Sequence, residues 1–320
     1  MIQGKYKIFI TGSSGFVGKN LLNYFKEDQY QFRCLLRDDS ATGNATTTNK
    51  LTWSNLCVTD LDDIDVVIHL AGKAHDLKNA SDPQEYFTVN TELTKQLFDV
   101  FLAGKAKDFI YFSSVKAAAD TVEGILDENV EPNPQTAYGQ SKLAVEKYLL
   151  SKELPAGKRV FILRPCMIHG PANKGNLNLL YQFVKKGIPY PLAAFNNKRS
   201  FIAIDNLCYI IERIVQDASV PSGIYNVADD AALSTTEVVT IISKVLKRKP
   251  RLLHISKKIL SGIARIGDKI KLPLNSERLQ KLTENYMVSN NKIKSALHIN
   301  ALPLSSEQGL IKTIESFLLK

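Results

Sequence analysis

Apolar and polar positions in the first half of the chain switch between two periods. Short β-branched and aromatic runs at 6–11, 31–36, 66–70 and 109–112 are separated by segments of helical spacing from Phe16 to about Phe25 and around 90–101. Near-continuous apolar strands alternating with amphipathic helices predict a parallel sheet covered by helices on both faces. A further helix is predicted at 138–150 and a strand at 160–163. Beyond Arg164 the pattern becomes irregular, with Gly170-Pro171, Gly175, Pro189 and Pro191. These features predict an α/β doubly wound domain over 1–165 and a smaller mixed α/β domain over 166–320. A segment near 200–228 is expected to return to the first domain.

Two other stretches stand out. Residues 38–49, rich in Thr, Asn, Ser and Asp, read as an exposed loop after the second strand. Between Pro250 and Pro273 a helix over 256–271 places Ile255, Ile259, Ile263, Ile266 and Ile270 on one stripe opposite a cationic face. That stripe is expected to pack against the C-terminal domain; weak docking on an anionic membrane surface is the second reading. The chain of 320 residues, 44% hydrophobic and 23% charged, has globular composition. Residues 1–10 lack the features of a secretory signal, and no run of eighteen apolar residues follows, so a soluble cytoplasmic protein is expected. Cys34, Cys57, Cys166 and Cys208 are scattered and read as buried, reduced thiols. A net charge of +9 suits a polyanionic partner. Ten Lys or Arg residues face one acid, Asp268, between 244 and 271, so the excess belongs to a C-terminal surface.

The first strand runs into Thr11-Gly12-Ser13-Ser14-Gly15-Phe16-Val17-Gly18 and then into a helix, the setting of a dinucleotide-binding loop. Gly12 can make the tight turn, a side chain at Gly15 would block a pyrophosphate, and Gly18 lets the helix pack on the sheet. The second strand is followed by Arg37, Asp38 and Asp39. Arg37 suits the extra phosphate of NADP, the favoured cofactor; NAD bound through Asp38 is the alternative.

Tyr138-Gly139-Gln140-Ser141-Lys142 opens a predicted helix, and positions four apart share a face. A phenol with a reference pKa of about 10 is a poor base at neutral pH. A neighbouring ammonium favours its ionised form, which makes Tyr138 a candidate acid/base and Lys142 its electrostatic helper. Ser113-Ser114, ending the strand at 109–112, could orient the reacting oxygen.

Taken with Ala71-Gly72, Phe112-Ser113-Ser114, Arg164-Pro165 and Gly170-Pro171, these motifs resemble the extended short-chain dehydrogenases of the NAD-dependent epimerase/dehydratase family. The resemblance implies a Rossmann domain for NAD(P) and a smaller domain closing over a nucleotide-sugar. It implies Ser114, Tyr138 and Lys142 as catalytic residues. Gly12, Ser14, Gly15, Phe16, Val17, Gly18, Arg37, Leu70, Ala71, Gly72 and Pro165 would join Tyr138 and Lys142 around the cofactor. Asn90 would be a structural residue, and Arg199, ahead of Asp205, the substrate-pyrophosphate ligand.

Departures from the family pattern narrow the function. Leu93 stands where a Gly is usual, and Val115-Lys116-Ala117-Ala118-Ala119 follows Ser114 without the acidic pair of the dehydratases. Lys116, Lys174-Gly175-Asn176 and 196–200 resemble bacterial reductases of UDP-2-acetamido-2,6-dideoxy-4-hexulose in polysaccharide synthesis, with Lys116 and Asn176 as further substrate contacts. The leading expectation is NADPH reduction of such a 4-keto sugar; a UDP-hexose or UDP-HexNAc 4-epimerase is the enzyme alternative, and an inactive NADP-binding sensor the alternative of another class. His69, His75 and His169 lack ligand spacing, so no metal is expected. The expected partner is a UDP-sugar, not nucleic acid, and a homodimer is the commonest closed assembly.

Overall fold

The computed structural model describes residues 5–36, 51–73, 82–173, 175–270 and 275–319. Seven parallel strands form one sheet: β1 (Tyr6–Thr11), β2 (Tyr30–Leu36), β3 (Leu51–Thr52), β4 (Val66–His69), β5 (Asp108–Phe112), β7 (Arg159–Pro165) and β10 (Gly223–Val227). Their order is β10-β7-β5-β4-β1-β2-β3. From β1 the chain builds outward through β2 and β3; from β4 it builds the other way. Adjacent loops diverge at that reversal, opening a crevice beyond Thr11 and His69, which pair in the β1–β4 register. β4 and β5 are buried along their whole length, as central strands covered on both faces must be.

Helices α1 (Phe16–Tyr24), α2 (Pro83–Tyr86), α3 (Leu93–Ala103), α4 (Ala137–Ser151) and α6 (Ile204–Gln216) accompany the sheet; α5 (Asn176–Lys185) lies between α4 and α6 in the chain. A π-helical turn over Phe87–Glu92 joins α2 to α3, so the helix predicted from Asn90 starts earlier and with a wider turn. Short strands β6 (Ile125–Leu126) and β11 (Met287–Val288) pair with each other, as do β8 (Met167–His169) and β9 (Phe201–Ala203). The remaining helices are α7 (Thr235–Val245), α8 (Lys257–Ile270), α9 (Ser276–Thr283), α10 (Asn291–Ala296) and α11 (Ser306–Leu318). One buried cluster joins the sheet to α6 and to Tyr286, Val288, Ile293 and Leu297, while a second joins α5, α7 and α11 with Leu260 and Ala264 of α8.

Two expectations fail. The isoleucine stripe does not pack on the C-terminal domain: Ile259, Ile263 and Ile266 are 57%, 41% and 57% exposed. α8 is held instead by Leu260 and Ala264, because a narrow Leu/Ala face admits the helix close to the domain and leaves these three isoleucines to one side; Ile255, before the helix, packs against the cluster. The cysteines are all free, but Cys57 is exposed and Cys34 half-buried. Cys57 lies in the turn that starts the 3₁₀ segment Val58–Leu61, and its thiol contacts Thr59 and Asp60 rather than the core. No described helix is long and apolar enough to cross a membrane. The loop 38–49 lies outside the described residues.

Candidate active site

The glycine loop turns at Gly12, whose φ of +72° suits a residue without Cβ. A Cβ there would also lie 2.7 Å from the Ala71 amide nitrogen, so the turn is pressed against the end of β4. At Gly18 a Cβ would come within 2.4 Å of the Gly12 carbonyl oxygen and 2.6 Å of Ser13 Cα. Gly18 therefore seats α1 on its own loop more than on the sheet. A Cβ on Gly15 would have one close neighbour, the Gly12 oxygen at 3.2 Å, and Ser14 and Gly15 are exposed at the mouth of the loop. Gly15 is also the N-cap of α1 and supplies no side chain to the first amides. An exposed loop and an uncapped helix start fit a pyrophosphate. Phe16 and Val17 turn inward against the sheet core.

Behind the loop, buried His69 bridges β1 to α3: its Nδ1 lies 2.6 Å from Thr11 Oγ1 and its Nε2 2.7 Å from Thr94 Oγ1. Burial, with Lys142 nearby, pushes the imidazole pKa down to about 3, so this ring is a neutral strut. Thr11 Oγ1 in turn accepts from the Ala71 amide at 3.0 Å. Asn90, buried in the π turn, accepts from the Lys73 amide at 2.6 Å and donates to the Lys73 carbonyl and to Ser141 Oγ. It ties the segment after β4 to α4. Gly72 is exposed beside it, where a Cβ would meet Asn90 Oδ1 at 2.9 Å and Lys142 Nζ at 3.3 Å. Leu70, Ala71 and Gly72 thus lie between the glycine loop and Lys142.

β5 delivers Ser114 and α4 delivers Tyr138 and Lys142. The Ser114 hydroxyl is hydrogen-bonded to Tyr138 and accepts from the Lys116 amide at 3.2 Å as N-cap of the 3₁₀ turn Val115–Ala117. Burial raises the Tyr138 phenol above its ordinary range, the Ser114 bond pulls it back, and Tyr86, whose ring meets it edge-on at 6.1 Å, raises it again. Lys142 Nζ is buried, donates to the Phe112 carbonyl at 2.8 Å and sits 4.9 Å over the Tyr111 ring. Desolvation lowers its pKa to about 8, against an upward pull from Glu146. The resulting pair is a neutral phenol ready to exchange a proton and an ammonium that titrates close to physiological pH.

Residues outside the motifs hold these groups in place. Asp120 fixes the start of α4, accepting from the Gln135 and Thr136 amides and from Thr136 Oγ1, while Thr136 Oγ1 caps the Gly139 amide. One turn beyond Lys142, Glu146 forms a bidentate pair with Arg164, at 2.9 Å from Nε and 2.5 Å from Nη2, with both side chains 1% exposed. Ser113 Oγ also donates to Glu146, which ties α4 to the ends of β5 and β7. Pro165 is buried at the end of β7 beside Val227. The periodicity of α4 carries a signal for Glu146, four residues after Lys142; its partner Arg164 is invisible until β7 lies under the helix.

The expected substrate contacts are less concentrated. Lys116 Nζ donates to the Asp120 carbonyl at 2.7 Å and stands 4.2 Å over the Tyr286 ring. Tyr286, bonded to the Ala119 carbonyl and to the backbone on both sides of Arg199, links that lysine to the Arg199 segment. Arg199 pairs with Glu284 at 3.0 Å. Neither Tyr286 nor Glu284 carries a motif in the sequence. Asn176 is exposed at the start of α5. His169 is buried, with Nδ1 2.9 Å from Thr313 Oγ1 and its other nitrogen 3.7 Å from Asp229. Arg37, Asp38, His75 and Lys174 lie outside the described residues.

A glycine loop at the sheet's switch point lies near a Ser/Tyr/Lys group in which Ser114 and Lys142 are buried, an arrangement that could hold a dinucleotide and exchange a proton with an alcohol or ketone. The model of the NAD dependent epimerase/dehydratase family matches residues 8–228, and the chain belongs to that family. It is 29% identical to a UDP-glucose 4-epimerase of Vibrio cholerae, over 97% of this chain and 95% of that protein. It is 24% identical, over 96% and 94%, to the N-acetyl-α-D-glucosaminyl-diphospho-ditrans,octacis-undecaprenol 4-epimerase of Escherichia coli O157:H7. Its fold matches the crystal structure of the UDP-N-acetylglucosamine 4-epimerase from Bacillus cereus with a TM-score of 0.75 and 22% identity, covering 98% of this chain and 99% of that one.

Proposed function

We propose that the protein inverts C4 of a diphosphate-linked hexose, with UDP-HexNAc or UDP-hexose as first candidates, by oxidising the C4 hydroxyl to a ketone and reducing it from the opposite face. The observation that carries this reading is the Ser114–Tyr138 hydrogen bond beside buried Lys142, facing the glycine loop. Gly12, Gly15, Gly18 and the start of α1 hold the dinucleotide, with Ala71, Gly72 and Pro165 beside it. When bound, the nicotinamide supplies the hydride acceptor for the first half-reaction and the donor for the second. Ionised to the phenolate before the first half-reaction, Tyr138 would take the proton of the C4 hydroxyl, becoming the neutral phenol that returns it to the alkoxide in the second. Ser114 orients that oxygen, and the Lys142 ammonium favours the ionised phenol and steadies charge on the oxygen. Arg199, shared with Glu284, is assigned to the sugar diphosphate, with Lys116 and Asn176 at the sugar's edge.

Elimination of water has less support. Both Asp120 oxygens, on the nearest carboxylate after Ser114, are engaged by the start of α4, and Lys116 is turned to the Asp120 carbonyl. Among the described residues of that loop no free acid faces a leaving hydroxyl. The likeness along the whole chain to proteins named as 4-epimerases supports inversion over net reduction. A second reading rests on Arg37 directly after β2, which favours NADP and hence a cofactor exchanged every cycle, as an NADPH-dependent 4-keto-sugar reductase requires. Purified protein incubated with UDP-N-acetylglucosamine and NAD is expected to yield the C4 epimer with no net NADH. Failure to do so, together with stoichiometric NADPH oxidation by UDP-2-acetamido-2,6-dideoxy-4-hexulose, would replace the epimerase reading with the reductase.

A further inference from the structure

The whole positive excess of the chain lies between residues 244 and 271, where ten Lys or Arg residues stand against Asp268; the rest of the sequence carries equal numbers of each sign. Asp268 is itself engaged, its two oxygens accepting from the Ser276 amide and hydroxyl. α8 crosses this segment with three faces. Leu260 and Ala264, one turn apart, are buried in the domain. Ile259, Ile263 and Ile266 form an exposed line at steps of four and three. Lys258 and Arg265, seven apart and so on one side of the helix, are exposed beyond it, with Lys257 exposed at the helix start. Leu253 before α8 and Leu282 on α9, which packs against α8, are also about half exposed.

We propose that α8 is a docking surface for an anionic lipid leaflet, with Ile259, Ile263 and Ile266 entering the headgroup–acyl boundary and Lys258 and Arg265 meeting the headgroup phosphates, while Lys257, on the face of Leu260 and Ala264, stacks over Phe195. A helix with a line of exposed isoleucines beside cations, with Asp268, the acid of that helix, already engaged by Ser276, suits a fluid, non-directional partner. A second copy of the chain fits less well, because a two-fold contact would set these cations against themselves. A protein partner would be recognised through aromatic or arginine anchors in pockets, and the isoleucine line offers neither. The docking surface stands independently of the reaction assigned to the site.

The test is co-sedimentation of the full chain with vesicles of phosphatidylcholine alone or with phosphatidylglycerol. Each cation near an anionic leaflet is worth about fivefold in partitioning. The wild-type protein is expected to sediment with the anionic vesicles and not with the neutral ones. Lys258→Glu/Arg265→Glu should lower partitioning at least about 25-fold. Ile259→Ser/Ile263→Ser/Ile266→Ser should lower it at least about tenfold while circular dichroism and thermal midpoint stay unchanged, since these side chains leave no core void. Lys26→Glu/Lys147→Glu, an equal charge change at exposed sites elsewhere, should stay within about threefold if the effect is local. Several results overturn the proposal. They are no anionic binding, binding indifferent to the isoleucines, an oligomer in solution that the serine variant dissociates, or equal, isoleucine-dependent binding to soluble poly-glutamate.

Discussion

Replacing Glu146 with glutamine keeps the shape of the side chain and removes its charge, leaving the Arg164 guanidinium buried without an anion. Both side chains are 1% exposed, so water cannot substitute for the carboxylate. Breaking one side of such a pair costs about 3–5 kcal/mol. At about 2.1 cal/mol/K of unfolding entropy per residue, a chain of 320 residues loses about 0.7 kcal/mol per degree near its midpoint, so the thermal midpoint should fall by about 4–7 °C. Differential scanning calorimetry measures this directly. Glu146→Leu/Arg164→Met removes both charges and should recover at least about 2 kcal/mol relative to Glu146→Gln, because paired buried charges are costly mainly when separated. A Glu146→Gln protein within about 1 kcal/mol of wild type, or a double variant worse than the single, would refute a desolvated pair as an anchor of α4.

Other consequences follow from the site. Tyr138→Phe should lower turnover by about 10³-fold while cofactor affinity and thermal midpoint stay unchanged, as read by steady-state kinetics and NADH fluorescence titration. The Lys142 ammonium titrates near pH 8, so kcat/KM should fall as pH rises through that value, and Glu146→Gln should move this limb to lower pH because Glu146 holds the ammonium up. The same depressed pKa gives a stability signature with the opposite sense. Between about pH 8 and 10.5 the unfolded chain keeps a proton that folded Lys142 has released, so this group's contribution to stability rises with pH there. Calorimetry of wild type and Lys142→Met across that range isolates it. Gly18→Ala places a methyl 2.4 Å from the Gly12 carbonyl, against backbone that cannot step aside, and should cost about 1–3 kcal/mol together with cofactor affinity.

What the sequence discloses and what it hides divide along a physical line. The glycine loop and the Tyr138/Lys142 pair are legible because the chemistry sits within one turn or one helix, where spacing fixes geometry. The central strands are legible because burial on both faces leaves near-continuous apolar runs such as those of β4 and β5. The Glu146–Arg164 pair, the Asp120 anchor of α4 and the Tyr286 link between Lys116 and the Arg199 segment join residues from separate elements, and no local pattern announces them. α8 hides its packing face for a related reason. Its isoleucine stripe is the stronger apolar signal, yet the smaller Leu260/Ala264 face is the one that fits the domain.

One sugar molecule would give up its C4 hydrogen as hydride to the bound nicotinamide and take the same hydrogen back, while Tyr138 carries the proton of the C4 hydroxyl. The most direct test follows UDP-N-acetylglucosamine carrying deuterium at C4, incubated with the protein and NAD and read by NMR. The expected result is the C4 epimer with deuterium retained at C4, formed about 10³-fold more slowly by Tyr138→Phe. Loss of the deuterium to solvent, or conversion by Tyr138→Phe at the wild-type rate, would contradict it.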